Sequence, residues 1–142
     1  MPILNYTTKV AVSKTVAEIQ GCLVAHGATA VLCEYGDAGE IIALSFKIRV
    51  GEQDISFRLP NDWRPVAAIL EQNKKVPRYL CNQEQALRVS WRIIKDWVEA
   101  QMALVAVRMV KTEQVFLPYV ITGDGQTLYE RFEKSPQLLL GK

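Results

Sequence analysis

Residues 83–110, which contain the stretch "VSWRIIKDWVEAQMALVAVRMV", constrain this chain more than any other part of it. Leu87, Trp91, Ile94, Val98, Met102, Val105 and Met109 recur in steps of three or four residues. That spacing places them on one stripe of a single helix, roughly 40 Å long at 1.5 Å per residue. The opposite face carries Glu84, Arg88, Arg92, Lys95, Asp96 and Glu99. Glu84–Arg88, Arg92–Asp96 and Lys95–Glu99 are four apart, a spacing that allows local ion pairs on a solvated face, with contact to phosphate as the lesser alternative. After Glu99 the polar face ends. Ala100, Met102, Ala103, Leu104, Val105, Ala106, Val107 and Met109 surround the axis, interrupted by Gln101 and Arg108. A helix apolar on every side is buried on every side. Met102, Val105 and Met109 are therefore candidate contacts with a second copy of the chain, because such a patch is costly to leave in water.

The second constraint lies upstream. Ile42, Leu44, Phe46, Ile48 and Val50 alternate with Ser45, Lys47 and Arg49. After the turn "GEQ", Ile55, Phe57 and Leu59 alternate with Ser56 and Arg58. Period-two alternation of this length predicts an antiparallel hairpin with one buried face. "TAVLCEY" before the "GDAG" turn adds a strand, and Leu4, Tyr6, Thr8, Val10 and Val12 predict another over 3–12. Thr15 and Glu18 have capping-box spacing and Gly27 fits a left-handed stop, which predicts a helix over about 14–26. Asn61 or Asp62 is the expected cap of a helix through "WRPVAAILEQ", Asn82 that of the long helix, and Thr112 that of a shorter one interrupted by Pro118. "TLYERFEK" reads as a last helix and "SPQLLLGK" as a loose tail. The order β-α-β-β-β-α-α-α predicts an α+β fold, an antiparallel sheet of three to four strands covered by helices on one face. We expect one domain over 1–142, mostly sheet to residue 60 and helical from 61 to 134.

Chemistry is harder to find. His26 is the one histidine, beside the expected helix stop, where it favours the helix dipole more naturally than it serves as a base. Cys22, Cys33 and Cys81 are odd in number and far apart, which fits buried thiols in a reducing cytoplasm and neither a disulfide framework nor a zinc site. Glu34, Asp37, Glu40, Glu52 and Asp54 fall singly or in turns and form no cluster for a divalent cation. No phosphate-binding glycine motif, leader or membrane span is visible. We expect no cofactor, no metal and no enzymatic constellation.

A net charge of +2 makes no case for nucleic acid by itself, so the argument rests on where the cations sit. Lys47, Arg49 and Arg58 share the polar face of the hairpin, and Lys74, Lys75, Arg78 and Tyr79 occupy the loop before the long helix. Cations beside an aromatic platform are what single-stranded nucleic acid binders use. The competing explanation is that surface strands carry lysine and arginine to stay soluble.

The helix–three strands–helix order resembles the double-stranded RNA-binding domain in topology. Where that family carries a basic loop and a lysine-rich helix start, this chain reads "GDAG" and "NDWRP". The order β-α-β-β-β-α also resembles the core of phage single-strand annealing proteins. At sequence level, "NYTTKVAVSKTVAEIQ", "ALSF", "FRLP", "QALRVSWRIIKDWVEAQMAL", "VFLPY" and "GDGQTLYE" resemble a group of small proteins encoded by bacteriophages, prophages and environmental viral sequences. That resemblance implies a viral accessory protein of the host-cell cytoplasm and brings no catalytic residue with it. Three functions follow as expectations: a non-enzymatic binder of single-stranded nucleic acid, a module that docks on a host or phage protein through an apolar helical surface, or a small-ligand binder at a subunit interface.

Overall fold

The alternation between residues 41 and 59 folds into paired strands in the computed structural model, which describes residues 3–140, although Ile42 is exposed and Ser45 buried, against the expected pattern. Strands β1 (Ala28–Tyr35), β2 (Ile41–Val50) and β3 (Gln53–Arg58) form one antiparallel sheet in that order. Gly51, at φ 64°, makes the tight turn between β2 and β3, where a side chain would be strained. Phe46 lies opposite Phe57 and Ile48 opposite Ile55, so these share a face. The two phenylalanine rings stack at 5.0 Å, and Phe116 meets them edge-on at 5.4 and 6.3 Å. Beyond β3, Val120 bridges Phe57 and the Ile121 N–H donates to the Ser56 carbonyl at 2.8 Å.

The helices are α1 (Val12–Ala25), α2 (Arg64–Gln72), α3 (Gln83–Ala106), α4 (Thr112–Val115) and α5 (Leu128–Lys134). Short 3-10 turns occupy Arg78–Leu80, Leu117–Tyr119 and Pro136–Leu139. The fold is α+β with a long helix in its second half, as the sequence predicts. Contacts group the chain into two compact units: Met1–Cys22 with Pro60–Ala100, and Leu23–Leu59 with Gln101–Lys142. In the first, the helical unit, Val66, Leu70, Val76, Leu80, Ala86 and Val89 form a core against which Ile3, Tyr6, Trp63 and Ile93 pack. In the second, the sheet unit, the three phenylalanines are the centre.

Several expectations need correction. No strand forms at 3–12. Asn5 takes a left-handed conformation at φ 65°, a region asparagine tolerates, and the chain from Leu4 to Thr7 runs through turns instead. Thr15 does not cap α1. The helix begins three residues earlier, and Thr15 is buried inside it with its N–H bonded to the Ala11 carbonyl at 3.1 Å. Gly27 does stop α1, at φ 103°. Helix α2 starts at Arg64 rather than after an Asn61 or Asp62 cap. Asp62 instead accepts from the Arg64 N–H at 3.1 Å and from its guanidinium at 2.8 and 3.0 Å. Asn82 caps α3 as expected, accepting from the Gln85 N–H at 2.8 Å. Thr112 is the first residue of α4, one position after its cap. The expected loose tail contains the 3-10 turn at Pro136–Leu139, and residues 141–142 lie outside the described residues.

Helix α3 ends at Ala106, four residues short of the expected 110. The Met109 N–H reaches back to the Leu104 carbonyl at 3.1 Å and the Arg108 N–H to Val105 at 2.9 Å, with Arg108 left-handed at φ 63°. This is the Schellman arrangement, with arginine where glycine is usual. Of the three expected local ion pairs on α3, Lys95–Glu99 forms at 2.7 Å. Arg92 pairs with Glu18 of α1, Asp96 accepts from the Asn5 amide at 2.9 Å, and Arg88 turns to Gln85. Arg92 and Asp96 thus find partners on other segments, and Arg88 one turn back on its own helix.

Candidate functional site

Tyr79 lies on the surface of the helical unit. It sits in the 3-10 turn before α3, with 76% of its surface exposed. A chain of hydrogen bonds fixes its surroundings. The Asn82 amide donates to the Tyr79 carbonyl at 2.9 Å, and its oxygen caps Gln85. Gln85 is 2% exposed and fully used. Its Nε2 donates to the carbonyls of Tyr6 at 2.8 Å and Thr8 at 3.0 Å, and its Oε1 accepts from Arg88 Nε at 2.8 Å. One buried amide therefore holds both the N-terminal segment and the arginine. Between them lies a pocket of about 310 Å³ lined by Thr7, Thr8, Lys9, Tyr79, Leu80, Gln85 and Arg88. Two cations and no carboxylate are in that lining.

The rest of the basic loop surrounds the same turn. Lys74 and Lys75 are exposed, and the Lys75 N–H donates to the Asn73 side chain at 3.0 Å. Arg78 is exposed and pairs with Glu71 at 3.0 Å. Surface pairs of this kind are weak and exchangeable.

Lys47, Arg49 and Arg58 share the outward face of the sheet, as their alternation predicts, and belong to the other unit. Arg49 lies directly across from Asp54, 3.6 Å away. Arg58 donates to the Gly125 carbonyl at 3.3 Å and stands 3.8 Å from Glu130. Both arginines therefore already have acceptors. A depression of about 230 Å³ on this face is lined by Ala30, Leu32, Glu34, Ser45, Phe46, Lys47, Ser56, Arg58 and Ile121. Its walls are mostly apolar, its charge is mixed, and Leu32 stands well exposed at its edge.

The apolar stretch of the long helix divides sharply. Met102 is 1% exposed and belongs to the core, Val105 is half-buried, and Met109 lies past the helix end at 72% exposed. The exposed apolar side chains here are Leu104, Val107 and Met109. All three cysteines are half-buried thiols outside any disulfide. Burial pushes the thiols of Cys22 and Cys33 up, and Glu99 adds to this at Cys22, so both stay protonated and poorly nucleophilic.

The sequence pointed to Tyr79 and, as the lesser reading of the charged α3 face, to Arg88, but not to Lys9; both cations line the pocket with Tyr79. Lys9 read as a residue of a strand that does not form, and Arg88 chiefly as one end of a local ion pair. A buried, bridging glutamine leaves no local pattern. Among the described residues, no helix is long and apolar enough to cross a membrane. In comparisons with known proteins, no family model, no curated protein and no solved structure matches the chain.

Proposed function

We propose that this is a binding protein rather than an enzyme, and that it takes single-stranded nucleic acid on its helical unit. The observation that carries this reading is Tyr79: a well-exposed aromatic ring on an anchored turn, beside Lys9 and Arg88 and in the same unit as Lys74, Lys75 and Arg78. Burying apolar surface is favourable, so a ring held in water is energetically useful only if something stacks on it. Cations nearby suit a polyanion whose bases can do so. The sheet trio is the weaker partner in this reading, since Arg49 and Arg58 are already engaged. On this reading the protein acts in the cytoplasm of an infected host, as the resemblance of its segments to phage proteins implies.

The test is fluorescence anisotropy of a labelled (dT)20 strand and of a duplex, at low and moderate salt. Saturable binding that prefers the single strand and weakens as salt rises supports the proposal. Replacing Tyr79 by Ala should lower affinity by roughly fivefold to a hundredfold, the range for one lost base–aromatic stack. Absence of binding at low salt sinks it.

A second reading rests on a different observation, the exposed Leu104, Val107 and Met109. These would dock a second copy of the chain or a host or phage protein. Light scattering separates the two occupants: a dimer that dissociates in a Val107→Asp, Met109→Asp variant favours self-association, and a monomer leaves the face to another protein.

A further inference from the structure

We infer that the pocket between the N-terminal segment and α3 is a site for one nucleotide unit, its phosphate held by Lys9 and Arg88 and its base laid on Tyr79. The inference rests on the proposed use of Tyr79 as a stacking surface and goes further, in assigning a phosphate site that joins Arg88 to Lys9, a pairing the sequence did not indicate.

Three features carry it. The first is size: about 310 Å³ is at the bottom of the range for small-molecule pockets, enough for one compact ligand. The second is charge. An ammonium and a guanidinium line the pocket without a carboxylate, so the space favours an anion. The third is pre-organisation. Arg88 donates through Nε to Gln85, which fixes the plane of the guanidinium, and its terminal nitrogens form the fork that fits phosphate oxygens. The same Gln85 holds the Tyr6 and Thr8 carbonyls, so the segment bearing Thr7, Thr8 and Lys9 is tied to the arginine through a single buried side chain. Thr8 Oγ accepts from the Val10 N–H at 3.2 Å, and a hydroxyl that accepts retains a proton to donate. Asn82 links the Tyr79 backbone to the same network. Little ordering entropy then remains to be lost when a ligand enters.

The phosphate could come from a free mononucleotide or from a strand, and the experiment separates them. Isothermal titration of the full chain with AMP and with adenosine is run beside (dT)20 binding, at low salt. The expected result is AMP binding at least about tenfold tighter than adenosine, weakened about tenfold by Lys9→Ala and abolished by Lys9→Glu, with Lys14→Ala unchanged. Lys9 and Lys14 are both exposed, so these variants should fold, which circular dichroism checks. Equal affinity for AMP and adenosine, or Lys9→Glu binding AMP like the parent, overturns the site. If (dT)20 binds through Tyr79 while AMP does not, the pocket inference fails and the single-strand reading stands. If AMP binds and (dT)20 does not, the site stands as one for free nucleotides and the single-strand reading falls. If neither binds, both fall.

Discussion

At the scale of single residues, Gln85 has more depending on it than any charged side chain. Its side chain makes three hydrogen bonds, to the Tyr6 and Thr8 carbonyls and to the Arg88 Nε. Replacing it by Leu keeps the volume roughly constant and removes all three bonds. Each buried group left without a partner costs about 1–3 kcal/mol, partly relieved where water can enter. We predict that Gln85→Leu lowers unfolding stability by about 2–4 kcal/mol in urea melts. It should also weaken nucleotide binding more than its stability loss explains, because it frees both walls of the pocket. Tyr79→Ala is the contrasting case. Its ring is mostly in water, so stability should stay within about 0.5 kcal/mol while binding falls.

At the scale of elements, the ends of helices hold the clearest tests. Arg108 closes α3 in a left-handed conformation at φ 63°, which costs a residue with a Cβ about 1–2 kcal/mol. Arg108→Gly should therefore stabilise the protein by about 1 kcal/mol, read as a higher urea midpoint at unchanged slope. A lower midpoint would show that the arginine side chain contributes more than its backbone costs. Helix α5 opens with a reciprocal cap: the Thr127 N–H donates to Glu130 at 2.9 Å and the Glu130 N–H to Thr127 Oγ at 3.2 Å. The Thr127 backbone bond, then its hydroxyl and the nearby Arg58, hold the Glu130 carboxyl below the usual range. A carboxylate depressed on folding stabilises fully above its unfolded pKa of about 4.3, and that contribution is lost as pH falls through the lower folded value. Glu130→Gln should flatten the acid limb of the stability profile below about pH 4.3 and lower stability at pH 7, where the carboxylate's contribution is fully present. These ends also show what was legible. Gly27 and Asn82 were found from sequence because residue type and position agree with one local rule. The stop at Arg108 was not, because arginine is a poor signal for a left-handed residue and the apolar run continues to Val110. The strand expected at 3–12 failed for a related reason. Its alternation does not survive folding: Ile3 and Tyr6, three apart, both pack on the core while Leu4 is exposed, and hydrogen bonds from a side chain 79 residues away hold the segment instead of a sheet partner. Of the candidate site, Tyr79 and the loop lysines were visible as a local cluster, whereas Lys9 and Arg88 join them only through folding.

At the scale of the whole molecule, 17 cations are nearly balanced by 15 anions, so long-range attraction of a polyanion is small and binding must come from where charges are left unbalanced. The two basic groups differ in this respect. On the sheet, Arg49 faces Asp54, Arg58 is held by Gly125 and Glu130, and Glu34 lines the same depression as Lys47. A phosphate arriving there would have to displace acceptors already in place. In the helical unit, Lys9 and Arg88 line a pocket free of carboxylates, and Lys74 and Lys75 are exposed on the loop beyond Asn73. Each cation that contacts a phosphate on a single strand adds about 0.7 to the slope of log affinity against log salt. Replacing Lys9, Lys74 and Lys75 by Ala should therefore flatten that slope by about 2 units, with a loss of affinity largest at low salt. Replacing Lys47, Arg49 and Arg58 by Ala should leave it nearly unchanged. The comparison needs (dT)20 titrations at four or five salt concentrations for each triple variant, with melting curves to confirm that the sheet variant, which gives up the Arg58 bond to Gly125, remains folded. If instead the sheet variant flattens the slope and the loop variant does not, the strand lies on the sheet unit, and the exposed Tyr79 must be explained by some other partner.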